Sequence, residues 1–195
     1  MDFRIRETIR YLGYGKHAVD EQTCRLIAES FEDLELVVRE RFIYRIFAIE
    51  HCGEYQIRIG TIEMKSKYLI KNMMGCSKAV LFGATLGIEV DRLLQKLAVT
   101  DMAKAVIMQA CAAARMEELC DRMEAEIKAE LPKPEQTMRP RFSPGYGDLS
   151  IEYQKEILRV LDASKKIGLT MTRGCMLSPT KSVTAFIGIK DQKDI

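Results

Sequence analysis

The chain has 195 residues, 47% of them hydrophobic, which is enough to bury the core of a single domain. Thirty basic against 28 acidic residues leave a formal charge of +2, too weak a field to make nucleic acid or an anionic membrane the main partner. No apolar run approaches the roughly 20 residues needed to cross a bilayer, and the opening Met1-Asp2-Phe3-Arg4-Ile5-Arg6-Glu7 lacks the apolar core of a signal peptide, so a cytoplasmic protein is expected. The cysteines, Cys24, Cys52, Cys76, Cys111, Cys120 and Cys175, form no C-x-x-C pair and read as buried or semi-buried thiols. His17 and His51 are the only histidines, too few soft ligands with His51-Cys52 to argue for a metal.

In chain order, residues 4–12 form a short amphipathic helix ending at Gly13, and Asp20 caps a longer helix running to about Leu36. Arg41–Glu50 and Glu54–Glu63, rich in Ile, Phe and Tyr, read as strands of a hairpin closed by His51-Cys52-Gly53. Ser66–Met74 reads as a helix stopped by Gly75. Lys78–Phe82 is a further strand, from which Gly83-Ala84-Thr85-Leu86-Gly87 turns into a helix over Ile88–Leu97. That turn is a poor nucleotide loop, with neither G-x-G-x-x-G nor G-x-x-x-x-G-K-[ST], and is taken mainly as a tight turn.

From Asp101 to Leu131 the pattern is one long helix with Met102, Val106, Ala113, Met116, Cys120, Met123, Ile127 and Leu131 along an apolar stripe. Steps of three and four place Glu117 on a face with Ala110, Ala113, Ala114 and Cys120. A carboxylate there is either one half of a salt bridge at a solvated edge or a ligand group, and both readings stay open. Pro132-Lys133-Pro134 ends the helix, and the loop to Asp148 holds four of the five prolines. Asp148 or Ser150 then caps a helix over Ile151–Lys166, which Gly168 terminates. Strands over Leu169–Thr172 and Ser182–Ile189 close the chain.

The loop segment Arg141-Phe142-Ser143-Pro144-Gly145-Tyr146-Gly147-Asp148 has the composition of a ligand loop. Pro144 fixes φ, while Gly145 and Gly147 permit positive φ and close backbone approach. Tyr146 offers a flat apolar face with a polar tip, and Arg141 can grip a carboxylate through two parallel hydrogen bonds. A plain surface turn beside an arginine has the same residue types.

The long Ala- and Glu-containing helix, the Arg141-Phe142-Ser143-Pro144-Gly145-Tyr146 loop, the helix after it and the Leu177-Ser178-Pro179-Thr180-Lys181-Ser182-Val183 approach to the last strand occur in an order that resembles the activation (reactivation) domain of cobalamin-dependent methionine synthase. The resemblance covers best the region from about 100 to 190. Ile9–Gly15 and Ala84-Thr85-Leu86-Gly87 look like the opening of free-standing relatives. It implies one domain over 1–195, with an N-terminal helical and hairpin part over about 1–99 and a part over about 100–190 that binds S-adenosylmethionine. It further implies that Arg141 holds the ligand carboxylate, that Pro144, Gly145 and Tyr146 wall the sulfonium and adenosyl portions, and that Glu117, or Glu118 one residue on, meets the ammonium group. The implied activity is reductive remethylation. Cob(II)alamin takes an electron from a reduced flavodoxin or ferredoxin, and the cob(I)alamin formed attacks the methyl carbon. The cobalt is then the nucleophile and the chain needs no catalytic residue of its own, in line with the absence of a triad. No D-x-H-x-x-G motif is present, so the cobalamin is expected on a partner, a methionine synthase or another corrinoid protein acting in trans.

Two rivals remain: a docking module for a corrinoid protein without ligand binding, and a doubly wound small-molecule methyltransferase, for which Val80–Gly87 imitates the glycine-rich loop poorly. The expected fold class is α+β, with an antiparallel sheet built from strands near residues 41, 55, 169 and 182.

Overall fold

A computed structural model describes residues 3–14, 20–132 and 136–191. Gly15, His17 and Pro134 lie outside them. The fold is α+β. A six-stranded, wholly antiparallel sheet has the order β3-β2-β1-β4-β8-β5, built from β1 (Arg41–Gly53), β2 (Gln56–Ile59), β3 (Ile62–Lys65), β4 (Cys76–Thr85), β5 (Thr137–Met138) and β8 (Ser182–Lys190). A second, two-stranded sheet pairs β6 (Thr170–Met171) with β7 (Leu177–Ser178).

Strand alternation divides the core into two layers. In β4, Val80, Phe82 and Ala84 point to one face, joined by Ala185 and Ile187 of β8, and meet α1 (Phe3–Tyr11), α2 (Glu21–Val37), α4 (Ile88–Thr100) and α5 (Met102–Glu130). Ala79, Leu81 and Phe186 point to the other face, against α3 (Lys67–Asn72), α6 (Tyr153–Leu161) and α7 (Ala163–Ile167). Because both faces are covered, β4 and β8 are apolar almost throughout rather than alternating with polar residues.

The helix boundaries follow local caps. The Asp20 carboxylate accepts from the Thr23 N–H at 2.7 Å, Ser66 Oγ from the Leu69 N–H at 2.9 Å and Asp101 from the Lys104 N–H at 3.0 Å. Gly168 closes α7 in the left-handed region at φ +69°. The expected helices over 4–12 and 101–131 are present as α1 and α5.

Several expectations are corrected. The hairpin turns after Gly53 rather than within His51–Gly53, and the second strand is two, β2 and β3, separated at Gly60-Thr61. Gly83, Ala84 and Thr85 are no turn: they continue β4 and pair with both β1 and β8, leaving only Leu86-Gly87 before α4. The strand near residue 169 stands outside the main sheet, and β4, which was not among the strands expected to build that sheet, lies between β1 and β8. Met102 and Val106 are exposed, since the first turns of α5 bury Ala105, Ile107 and Met108 instead. The helix expected over Ile151–Lys166 is interrupted at Asp162, which adopts left-handed φ +54° between α6 and α7.

Asp148 caps a helix, but not the one that follows it. Its carboxylate accepts from the Ser66 hydroxyl and from the Lys67 N–H at 2.8 Å and Tyr68 N–H at 3.3 Å, so it closes the N-terminus of α3 some 80 residues away and ties the Arg141 loop to it. The hydroxyl bond of Ser66, with the two N–H groups, holds the Asp148 carboxyl below its ordinary value. A depressed carboxyl stabilises the fold above its unfolded value, and that contribution disappears as pH falls through the folded one. Asp148→Asn is therefore expected to lower the urea midpoint near neutral pH and to match the wild type in acid, which unfolding titrations at the two extremes will show.

Candidate functional site

The residues before Arg141 are held at the sheet edge. Beyond β5, the Arg139 N–H donates to Gly188 O at 2.8 Å, and Phe142 exchanges two 2.9 Å bonds with Phe186. The chain therefore runs beside β8 as an irregular last strand. Phe142 is buried in the second core layer, which leaves its neighbour Arg141 facing α5. Residues 137–142 of the expected loop are thus ordered by backbone pairing with β8.

Arg141 meets three carboxylates of α5. Its Nη2 donates to Glu117 Oε2 at 2.7 Å, while Nη1 lies 3.0 Å from Glu124 Oε1 and 3.3 Å from Asp121 Oδ1. Positions 117, 121 and 124 share one helical face by steps of four and three. The Tyr11 hydroxyl at the end of α1 donates to Glu117 Oε1 at 3.0 Å. Glu117 is thus held from two sides. Burial, then the Glu117 charge, pushes the Tyr11 phenol up. Burial likewise raises the Glu124 carboxyl, with the Arg141 charge opposing it, and pushes the Cys120 thiol beneath the cluster up to about 12. Cys120 is accordingly no nucleophile at neutral pH.

Glu118, the alternative by one residue, faces elsewhere. It accepts from Arg4 Nε and Nη2, each at 3.1 Å, and lies 3.4 Å from Arg115 Nη1. Arg115, with only 7% of its side chain exposed, also reaches Glu35 and Glu40 at 2.9 and 2.7 Å, a network that joins α2 to α5. Neighbouring carboxylates on one helix thus have separate surroundings: Glu118 belongs to the helix packing and Glu117 to the Arg141 cluster.

Gly145 adopts φ +88° and Gly147 φ +59°. A Cβ on Gly147 would lie 3.1 Å from the Tyr68 ring in an already left-handed backbone, so the turn excludes larger residues there. The backbone N–H groups expected to approach a partner are used within the turn, Gly145 donating to Leu149 O at 2.8 Å and Tyr146 to Ser143 O at 3.1 Å. Pro144 is buried. The Tyr146 ring is 67% exposed and stands edge-on to Phe142 with centroids 5.3 Å apart. Arg141 and Glu117 are therefore brought together, whereas the ring contact of Tyr146 is with Phe142. Tyr11, Asp121 and Glu124 are the cluster members that the sequence reading missed. The 117, 121, 124 spacing is a signal that was available for two of them.

Gly87 lines a cavity of about 280 Å³, with Arg39, Arg41 and Pro179, and this lies apart from the Arg141 cluster. The Lys65, Met64 and Tyr153 cavity of about 220 Å³ and the Leu158, Leu169 and Met171 cavity of about 410 Å³ are likewise elsewhere. Among the described residues no helix is long and apolar enough to cross a membrane.

No family model matches the chain, and no curated protein does. A solved structure does: the crystal structure of the MetH reactivation domain bound to AdoHcy is 15% identical and matches over 98% of this chain and 77% of that one, with a TM-score of 0.66. The two chains share a fold. That likeness agrees with the α+β class expected above and leaves no place for the doubly wound alternative, since every strand pair here is antiparallel.

Phe142 is the anchor of the Arg141 loop, 6% exposed and in contact with Tyr146. Phe142→Ala is expected to lower stability by about 3 kcal/mol, through lost burial and the cavity left behind, as read from urea unfolding.

Proposed function

We propose that the chain is an S-adenosylmethionine-binding reactivation protein that supports reductive methylation of cobalamin carried by a methionine synthase or another corrinoid protein in trans. The observation that carries this reading is the side-by-side placement of Arg141 and Glu117, 2.7 Å apart. The amino-acid end of the ligand is a zwitterion and needs a cation and an anion next to one another. Among the described residues nothing engages Arg141 Nε, and Nη2 has a second hydrogen beyond the one given to Glu117, so the guanidinium keeps donors for a ligand carboxylate. Glu117 then turns one oxygen to the ligand ammonium while Tyr11 keeps the other.

In this reading Pro144 and Gly145 shape the turn that presents the Tyr146 ring, and the ring supplies a flat wall for the adenosyl and sulfonium portions. The likeness to a reactivation domain bound to AdoHcy supports the choice of ligand class. The partner's corrinoid, reduced by a flavodoxin or ferredoxin, supplies the nucleophile for the methyl group. The task of this chain is to hold the methyl sulfonium in line, a positioning effect that needs no acid, base or nucleophile from the protein. The activity therefore belongs to the assembled methyltransferase rather than to this chain alone.

The competing reading, a docking module that binds no small ligand, draws on a specific observation: Arg141 already has carboxylate partners, and the N–H groups of Gly145 and Tyr146 are engaged. Calorimetric titration with S-adenosylmethionine separates the two. Arg141→Ala is expected to weaken binding by roughly 10- to 150-fold, from about 1.5–3 kcal/mol of lost charged hydrogen bonds, and Glu117→Gln to weaken it without unfolding the protein. No binding by the intact protein, alone or with a cobalamin protein present, would leave the docking reading in place.

A further inference from the structure

The cluster at Arg141 carries more negative charge than the arginine balances. One guanidinium faces Glu117, Asp121 and Glu124, so one positive charge is set against three carboxylates. The arrangement is not a metal site: among the described residues no group of three His, Cys, Asp or Glu is placed to hold a metal ion, and the guanidinium fills the position a cation would take. Holding the loop in place needs one carboxylate, and Glu117, closest and further fixed by Tyr11, already does so. Asp121 and Glu124 share the single Nη1 at 3.3 and 3.0 Å, and Asp121 keeps 58% of its side chain exposed beside it. Their excess charge lies next to the arginine on which the ligand carboxylate docks.

Resting on the ligand reading above, we propose that Asp121 and Glu124 are charge-selecting residues, which make the site favour a cationic sulfonium over the corresponding neutral thioether. S-adenosylmethionine carries a carboxylate, an ammonium and a sulfonium, a net charge of one positive. Transfer of its methyl group breaks the C–S bond, leaves the electron pair on sulfur and yields S-adenosylhomocysteine, which is net neutral. The two molecules share the carboxylate, the ammonium and the adenosyl group, so Arg141 and Glu117 bind both alike. The ligands are distinguished only at the sulfur, by the Tyr146 face against which it lies and by the field of nearby charges. Two carboxylates in excess of the single guanidinium charge, at the edge of the site, provide such a field, and the product is released as its charge is lost.

The test is calorimetric titration of the full chain with S-adenosylmethionine and with S-adenosylhomocysteine, before and after Asp121→Asn/Glu124→Gln. The double variant is expected to bind S-adenosylmethionine roughly 10-fold more weakly and S-adenosylhomocysteine within about two-fold of the wild type. Equal losses for both ligands would show that the two carboxylates only hold the loop, and an unchanged ratio would show that they do nothing at the sulfur. Either result overturns the proposal while the ligand reading stands, whereas failure of the unmodified protein to bind either ligand overturns both. Should the variant not fold, the unmodified protein gives the same decision: raising salt from about 0.05 to 0.5 M must reduce its preference for S-adenosylmethionine, and a preference independent of salt contradicts the proposal.

Discussion

Strand β8 is the constraint on which the candidate site depends. Its one edge pairs with β4 from Ser182 to Lys190, and its other takes β5 and then the backbone of Arg139 and Phe142. Both of its faces are buried, Ala185 and Ile187 in one core layer and Phe186 in the other. Because side chains alternate along such a strand, seating Phe142 against Phe186 in one layer turns Arg141 away from it and toward α5. The direction of the functional arginine is thus a result of register in the core. A slip of one residue would exchange the two.

The two arginine clusters on α5 show how similar chemistry is put to different uses by burial. Arg115 is almost wholly enclosed and ties Glu35, Glu40 and Glu118 together, so removing it would leave carboxylates of α2 and α5 facing one another. Arg141 keeps 24% of its side chain exposed and has donors to spare. A buried ion-pair network resists change, and a half-open one admits a ligand. The cluster at Arg141 also joins three elements that are distant in sequence, with Tyr11 from α1, the three carboxylates from α5 and the arginine from the loop. Asp148 links that loop to α3 from its other end. A ligand held there would touch the whole of this junction.

How much of this was legible in the sequence follows the range of the interactions. Asp20, Ser66, Asp101 and Gly168 act within about four residues of themselves, and the helix ends they mark were readable from those positions, although the break at Asp162 was not. The Arg141 loop and Glu117 were visible as residue types with a matching order. Their pairing across 24 residues is the salt bridge that the sequence allowed for Glu117, and their roles toward a ligand rest on the proposal. What could not be read required distant partners. Asp148 found its amides on α3 rather than on the next helix, and Gly83 to Thr85 are strand because β1 and β8 flank them. The glycines of the loop suggested free N–H groups, but the turn uses those of Gly145 and Tyr146 for itself, which residue type alone does not reveal.

The central claim is that the Arg141–Glu117 pair receives the amino-acid end of S-adenosylmethionine. The most direct measurement is the NMR signal of the Arg141 guanidinium Nε–H during addition of that ligand. The account predicts that this resonance moves downfield and sharpens as the guanidinium takes up the carboxylate, with the Glu117 and Tyr11 amides shifting at the same ligand concentration. An Arg141 signal that stays in place while residues around the Arg39 and Gly87 cavity respond would contradict it and move the binding site to the opening of α4.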